Sequence, residues 1–170
     1  RIELIAKIQS SQNINNLNVK DADIIGLFKL GNEVCIQVFF IRSYENRGNH
    51  AFFPKTGGGA DDIEIIENFI AQFYSTKTPA REILISSSLR NNEVLIKFLT
   101  ERRNQKVVIR SPSRGSVKDL IKTAEKNAKE ALERKIAMKA SQKSLFEEVE
   151  NWLKLEEKIK KIEVYDNSHI

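Results

Sequence analysis

Residues that build disulfides and zinc sites are scarce in this sequence. It has one cysteine, Cys35, and two histidines, His50 and His169. A single cysteine cannot form an internal disulfide, and this set of side chains is too small for a structural zinc site. We therefore expect no zinc cluster and a reducing compartment, the cytoplasm.

Long apolar segments are absent as well. No run of about 18 apolar residues occurs, so the sequence predicts neither a transmembrane helix nor a membrane partner. Residues 1–10 lack the charged-then-apolar order of a secretion signal. Position 1 is Arg and the only methionine is Met138, so we expect the chain to be an internal piece of a longer protein.

Positive charge is in moderate excess and is concentrated in one segment. The formal net charge is +5 and the pI is about 9.3. Residues 101–122 carry seven basic side chains against two acidic ones. The basic ones are Arg102, Arg103, Lys106, Arg110, Arg114, Lys118 and Lys122. A solvated surface and a phosphate-binding surface both account for such a segment, so charge alone does not decide between them.

Three apolar runs near the beginning predict a three-stranded antiparallel meander. The runs are DIIGLFKL, EVCIQVFFIRS and RGNHAFFP, separated by Gly31-Asn32 and by residues 44–48. The middle run is apolar on both faces, which predicts that it is the most buried strand.

Helical and strand patterns alternate in the rest of the chain. Asp61 or Asp62 can cap a helix whose apolar residues recur at steps of three and four. A strand in REILISS, a helix that begins at Asn91 or Asn92, and a strand in VVIR follow. We expect Val94, Leu95, Phe98 and Leu99 of the second helix to face inward.

Two adjacent amphipathic helices are predicted after these elements. A long helix starts at Ser116, and a second carries Leu145, Val149 and Trp152, with Trp152 as a packing anchor. They could pack on the domain, on each other or on a partner.

The predicted element order is β-β-β-α-β-α-β-α, which belongs to the α+β class with layers of the α/β type. An antiparallel meander extended by strands that are reached through helices is the layout of the ribonuclease H-like fold. Another α+β sandwich with the same order stays open, and the fold by itself implies no activity.

Carboxylates are missing from the places where a nuclease of this fold needs them. Two divalent cations require acids from the first strand, the first helix, the end of the fourth strand and a late element. Asp21 and Asp23 precede the first strand, where a turn or strand-entry cap explains them, and the fourth strand ends in serines. Only the first helix offers candidates, Glu64 and Glu67, so we expect a domain without a nuclease site. A metal-dependent nuclease that uses them is the alternative.

The remaining reactive residues have structural explanations. Gly57-Gly58-Gly59 lacks the Lys-Ser/Thr of a phosphate loop and predicts a flexible hairpin tip. Cys35 lies in an apolar run, which indicates a core position, and His50 is expected as an exposed or hydrogen-bonded strand residue.

Several longer motifs resemble one family. They are DADIIGL at 21–27, QVFFIR at 37–42, QFY at 72–74, PAREIL at 79–84 and SPSRGSVKDLIKTAEKNAKEAL at 111–132. Together they resemble the middle of the UvrC family, the third component of the ABC excinuclease. The closing IEVYDNSHI resembles the start of that family's C-terminal endonuclease domain.

The resemblance implies a part in bacterial nucleotide excision repair and the SOS response, with DNA and UvrB as partners. The full-length protein of the family cuts damaged DNA on both sides of a lesion with two nucleases, and Mg²⁺ or Mn²⁺ is implied for each. No cofactor is expected in this piece. Its role is expected to be that of a scaffold and DNA contact, and an interaction module built on residues 116–160, which regulates the adjacent nuclease, is the alternative.

The resemblance also implies a division of the chain. Residues 1–16 would be the tail of the UvrB-binding helical hairpin, and residues 17–140 a ribonuclease H-like domain without catalytic acids. Residues 141–160 would be a connecting helix, and residues 161–170 the truncated first strand of the endonuclease domain, which makes other domains of the same protein partners as well.

Site residues are implied in two places. Asp166 matches the first metal-binding and catalytic Asp of the C-terminal nuclease and would act only in the complete protein, while His169 would shape the strand end. Five residues of the basic segment become candidate DNA contacts. They are Arg102, Arg103, Arg110, Arg114 and Lys118.

Overall fold

The computed structural model describes residues 19–155, 157–159, 161 and 163 of the chain. The strands of this part are β1 (Asp21–Leu30), β2 (Glu33–Arg42), β3 (Glu45–Phe52), β4 (Glu82–Leu84) and β5 (Val108–Arg110). The helices are α1 (Asp62–Tyr74), α2 (Asn92–Arg103) and α3 (Ser116–Leu153). The chain divides after Leu132 into two compact units, which are described separately.

All the strands belong to one mixed sheet with the order β3-β2-β1-β4-β5. β1 and β2 pair antiparallel over their full length, from Asp21 opposite Arg42 to Leu30 opposite Glu33. β4 is parallel to β1, and β5 is parallel to β4. The predicted meander and element order are therefore confirmed for the sheet.

The turn between β2 and β3 differs from the prediction. Ser43 and Tyr44 form a two-residue turn with φ angles of 53° and 65°, instead of a turn over residues 44–48. A hairpin of this length favours positive φ at both central residues, because that geometry matches the strand twist. Gly48, which suggested the later turn, lies in β3 at φ +125°, where the pairing register shifts opposite Phe40.

The two faces of the sheet carry separate cores. Ile25, Val38 and Ile83 pack on the face covered by α1 and α2. Their neighbours Ile24 and Phe39 point to the other face, because side chains alternate along a strand. On that face they meet Leu120, Ile121 and Ala124 of α3. β2 is the most buried strand, as predicted, and Cys35 within it is fully buried.

The helices of the first face begin where capping residues predict. Asp61 is the N-cap of α1 and accepts a hydrogen bond from the Glu64 N–H at 2.9 Å. Asn91 is the N-cap of α2. Leu95 and Leu99 are buried as expected, but Val94 is 70% exposed, so its predicted inward position is wrong. The buried face of α2 is formed by Leu95 and Leu99, which are four residues apart and therefore lie on the same side of the helix. Val94 lies outside this face and is exposed to solvent.

One continuous helix of 38 residues replaces the two adjacent helices that the sequence predicted. The segment between Ile136 and Leu145 contains no Pro or Gly, so nothing in it stops a helix once it has formed. Among the described residues, no helix combines the length and apolar character that a membrane span requires.

The second unit, described by itself, contains residues 133–153 of α3. Met138, Leu145 and Leu153 are at least half exposed there, at 65%, 55% and 50%. Trp152 is 82% exposed, so the expectation that it anchors packing is wrong for the part of the chain that is described.

The backbone of α3 lies directly against Gly26 of β1. A Cβ atom at this position would lie 2.3 Å from the Glu125 nitrogen and 2.4 Å from the Ala124 carbonyl carbon. Both are backbone atoms, which cannot rotate away as a flexible side chain can. The approach of α3 to the sheet therefore requires glycine at position 26.

We expect Gly26→Ala to lower the free energy of unfolding by about 1–3 kcal/mol or more, because α3 must shift away from β1. Urea unfolding of the 170-residue chain measures this. Gly57→Ala is the matched control, since no atom lies within 4 Å of the added Cβ and the change should stay within about 1 kcal/mol of the parent. Equal stability of the two variants would contradict the close contact.

Candidate functional site

A small cavity lies at the junction of β1, α1 and α3. Its volume is about 70 Å³. Side chains from β1, α1, the segment after β4, and α3 line it, and these are the four elements from which catalytic carboxylates would have to come. The lining residues are Leu27, Asp62, Ile63, Ile66, Ser86, Ser87, Leu89 and Glu125.

The chemistry of this cavity differs from that of a two-metal site. β1 contributes Leu27, and the segment after β4 contributes Ser86 and Ser87. Among the described residues that line the cavity, only Asp62 and Glu125 carry charge. In the described ranges, no group of three or more His, Cys, Asp or Glu side chains is placed to hold a metal ion. Two carboxylates do not bridge and balance two divalent cations.

Sequence reasoning missed both carboxylates of the cavity. The position of Asp62 predicts only a helix cap, and Glu125 falls in a charge-rich stretch of α3 without a distinguishing pattern. One signal in the sequence could have located Glu125, namely the small residue Ala124 beside it. Ala124 contacts Gly26, and this contact brings the turn of α3 that carries Glu125 next to β1.

The acids that the sequence offered on the first helix have other partners. Glu67 accepts hydrogen bonds from the Asn91 backbone N–H at 2.7 Å and from the Asn91 side chain at 3.0 Å. Partial burial raises the pKa of Glu67, but these hydrogen bonds outweigh it, so the pKa lies below the ordinary value. Glu64 is exposed and lines a groove beside the glycine loop instead of the small cavity. Neither Glu64 nor Glu67 lines the small cavity.

A second polar cluster lies at the amino ends of β1 and β4, and Asp23 is its centre. Asp23 is only 1% exposed. It accepts hydrogen bonds from the Tyr74 hydroxyl at 2.7 Å, from the Ala80 N–H at 3.1 Å and from Arg42 Nη1 at 2.8 Å. Asp21 and Asp23 lie inside β1 and not before it, so the predicted turn or strand-entry cap is replaced by contacts within the sheet.

Arg103 extends this cluster to the end of α2. Its Nη2 lies 2.7 Å from Asp21 Oδ2, and its Nη1 donates to the Pro79 carbonyl. Asp21 also accepts from the Arg81 N–H at 3.1 Å, and its Oδ1 lies 3.3 Å from Arg42 Nε. The two aspartates and two arginines therefore connect β1, β2, α2 and the segment before β4.

The structure separates the five candidate DNA-binding residues into two groups. Arg102 Nε donates to the Tyr74 carbonyl at 3.1 Å, Arg103 belongs to the polar cluster, and Arg110 pairs with Glu82 at 2.9 Å. Arg114 and Lys118 lie at the start of α3, where Arg114 is exposed and Lys118 half-buried. Their role as DNA contacts stays a prediction.

The turn before α3 depends on Gly115. Its φ of +86° is unfavourable for other residues, and its carbonyl accepts from the N–H groups of Lys118 and Asp119. Arg114 is held at the entrance of the helix by this turn. Asp166, His169 and residues 1–16 lie outside the described residues.

A model of the UvrC Ribonuclease H-like domain matches residues 21–135. The chain belongs to the UvrC family. The matched segment contains all five strands of the described sheet, α1, α2 and the first part of α3. The predicted ribonuclease H-like fold and the resemblance to UvrC are therefore confirmed.

Relatives named UvrABC system protein C align with the whole chain. The relative from Cereibacter sphaeroides is 44% identical over 170 residues, that from Paramagnetospirillum magneticum 42%, and that from a Jannaschia species 39%. Each alignment covers 27% of the relative, so the chain spans about a quarter of the length of these curated UvrC relatives.

Removing the phenol hydroxyl tests the polar cluster. We expect Tyr74→Phe to lower the free energy of unfolding by about 1–3 kcal/mol, because buried Asp23 loses a donor. Urea unfolding at neutral pH measures the change. Tyr44→Phe is the control, since Tyr44 is 52% exposed and its substitution should alter stability by less than about 0.5 kcal/mol.

The same variant predicts a pH dependence. Burial raises the pKa of Tyr74 well above its ordinary value of 10.0, and the charge of Asp23 raises it further. The unfolded chain therefore loses this proton first, so the stabilisation is present below pH 10.0 and is lost as pH rises above it. We expect the parent to lose stability more steeply than Tyr74→Phe above that pH. If the stability of the parent and of Tyr74→Phe fell equally with pH above 10.0, the raised pKa of Tyr74 would be contradicted.

Proposed function

We propose that the chain is the central, non-catalytic segment of a nucleotide excision repair endonuclease subunit, which acts with UvrB and incises damaged DNA on both sides of a lesion. Within that protein the domain acts as a scaffold and DNA contact. The observation that carries the proposal is the small cavity, where leucine and serines occupy positions that metal-binding carboxylates would need.

The scaffold role is supported by how the elements are connected. Asp23 is held by groups from β2, from the end of α1 and from the segment before β4. The contact of α3 with Gly26 fixes that helix on the opposite face. A buried carboxylate with both oxygens hydrogen-bonded, together with close backbone packing, favours a single rigid arrangement, which suits a spacer between two nucleases.

The DNA contact is supported by the start of α3. Arg114 and Lys118 add positive charge where the N-terminus of a long helix already carries a partial positive charge. Such a surface attracts phosphates without reading the base sequence, which suits an enzyme that must act at any lesion. Arg110 is 59% exposed and could exchange its pair with Glu82 for a phosphate at little cost.

The other proposed features belong to the complete protein. Asp166 would be a catalytic ligand to Mg²⁺ or Mn²⁺ in the C-terminal nuclease, and residues 1–16 would complete the hairpin that binds UvrB. The SOS response and the cytoplasm are the proposed setting.

Duplex binding tests the DNA contact. We expect the 170-residue chain to bind a dye-labelled 20-base-pair duplex weakly, with log affinity falling linearly with log salt. Arg114→Ala and Lys118→Ala should each reduce the slope by about 1, as fluorescence anisotropy at several salt concentrations measures. Lys97→Ala, an exposed lysine of α2, should leave it unchanged.

Two outcomes would contradict the proposal. Binding that does not depend on salt, or that Arg114→Ala and Lys118→Ala leave intact, removes the DNA contact. Mn²⁺-dependent cleavage that is lost in Asp62→Asn or Glu125→Gln removes the non-catalytic assignment. Substitution of Arg102 and Arg103 is not suitable here, because both arginines also make contacts inside the domain.

A protein-interaction role is the second candidate. The exposed Met138, Leu145 and Trp152 recur every seven residues, which gives the second unit an apolar stripe. Binding of purified UvrB that is lost in Trp152→Ala, with DNA affinity unchanged, would favour this role over a DNA contact.

A further inference from the structure

A groove between α1 and the end of β3 is formed by three cavities that share lining residues. Their volumes are about 360, 280 and 460 Å³. The first and second share Phe52, and the second and third share Phe69 and Gln72. We call it the aromatic groove and define it by Phe40, His50, Phe52, Phe53, Phe73 and Lys77.

Ring packing holds the wall of this groove in place. The Phe52 ring lies 5.3 Å from that of Phe69 and 5.2 Å from that of Phe73. Phe69 and Phe73 are more than nine-tenths buried, whereas Phe52 and Phe53 are half-buried and line the open groove. Rings that are already fixed lose little conformational freedom when a flat ligand stacks on them.

The position of β3 in the sheet explains why the groove is open. β3 is the edge strand next to β2, and α1 lies over the inner strands with Ile66 and Ile70. His50 and Phe52 are two residues apart on β3, so they project from the same face. Their ring centroids are 4.7 Å apart, which extends the aromatic wall to the rim.

Cations accompany the rings. Lys77 Nζ lies 4.0 Å from the centre of the Phe73 ring and 5.5 Å from that of Phe52. No ion pair of Lys77 exists within the described part of the chain. Arg47 and Lys55 also line the groove, and Arg47 forms an exposed ion pair with Glu45 at 3.0 Å. Glu64 is the single acid that lines the groove among the described residues, and it lies at the far end. The surface therefore combines ring faces with a cationic rim.

We propose that the aromatic groove binds the unstacked bases of single-stranded DNA, with bases against Phe52 and Phe53 and the backbone near Lys77. This inference rests on the proposed function as a DNA contact. It concerns single-stranded instead of duplex DNA, and a surface separate from Arg114 and Lys118. Unpaired DNA presents planar faces next to negative phosphates, which matches the groove. A duplex keeps its base faces inside the stack and matches it poorly. An apolar peptide would match the rings but would bring no negative charge to the cationic rim.

Three labelled probes test the proposal by fluorescence anisotropy with the 170-residue chain. They are a 15-nucleotide oligothymidine, an abasic strand of the same length, and a duplex. We expect oligothymidine to bind at least fivefold more tightly than the abasic strand, since stacking of one base contributes about that much or more. This comparison needs no variant.

Phe53→Leu removes the aromatic face and retains an apolar side chain. We expect it to weaken oligothymidine binding at least fivefold and to leave the abasic strand and the duplex unchanged. Phe98→Leu, at a half-buried phenylalanine of α2 outside the groove, is the matched control and should change none of the three affinities. Circular dichroism confirms that both variants are folded.

Lys77→Ala separates charge from stacking. It should weaken oligothymidine and abasic strand equally, because both carry the phosphates, while Lys97→Ala weakens neither. Equal binding of oligothymidine and abasic strand by the parent chain, or oligothymidine binding unaffected by Phe53→Leu, would overturn the proposal. Duplex binding that still depends on Arg114 and Lys118 would then leave the proposed function standing, whereas loss of all DNA binding would remove both.

Discussion

A buried carboxylate is the constraint on which much of this domain depends. A charged group enclosed by protein is costly unless hydrogen bonds and an opposite charge compensate it. Asp23 meets that condition only when Arg42 on β2, Tyr74 at the end of α1 and the Ala80 N–H before β4 are all in place. The position of one side chain therefore fixes how the meander, the first helix and the first parallel strand join.

The same cluster changes how the basic segment is understood. In the sequence, Arg102 and Arg103 form a run of positive charge that resembles a phosphate-binding surface. In the fold, Arg103 balances Asp21, and Arg102 donates to the last carbonyl of α1. Arg114 and Lys118 belong to the same basic segment but lie at the start of α3. Charge density along a chain thus does not distinguish structural cations from cations available to a ligand.

Local patterns predicted the local structure well. The spacing of apolar residues predicted α1, and the aspartates before it predicted a cap at Asp61 or Asp62, of which Asp61 is the N-cap. The continuous apolar run predicted the burial of β2. The partners of Asp23 lie 51 and 57 residues away, and Arg103 lies 82 residues from Asp21, so no local pattern contains them. The aromatic groove was missed for a similar reason, because Phe52 and Phe73 each look like ordinary core residues until β3 and α1 are brought together.

Gly26 has a consequence for the evolution of this domain. At most strand positions, exchange of one side chain leaves the neighbouring elements in place. Here the space beyond Gly26 is filled by the peptide backbone of α3, and no side-chain rotation can open it. A longer side chain introduced at that position would displace a whole helix, so position 26 and the turn of α3 at Ala124 can change only together.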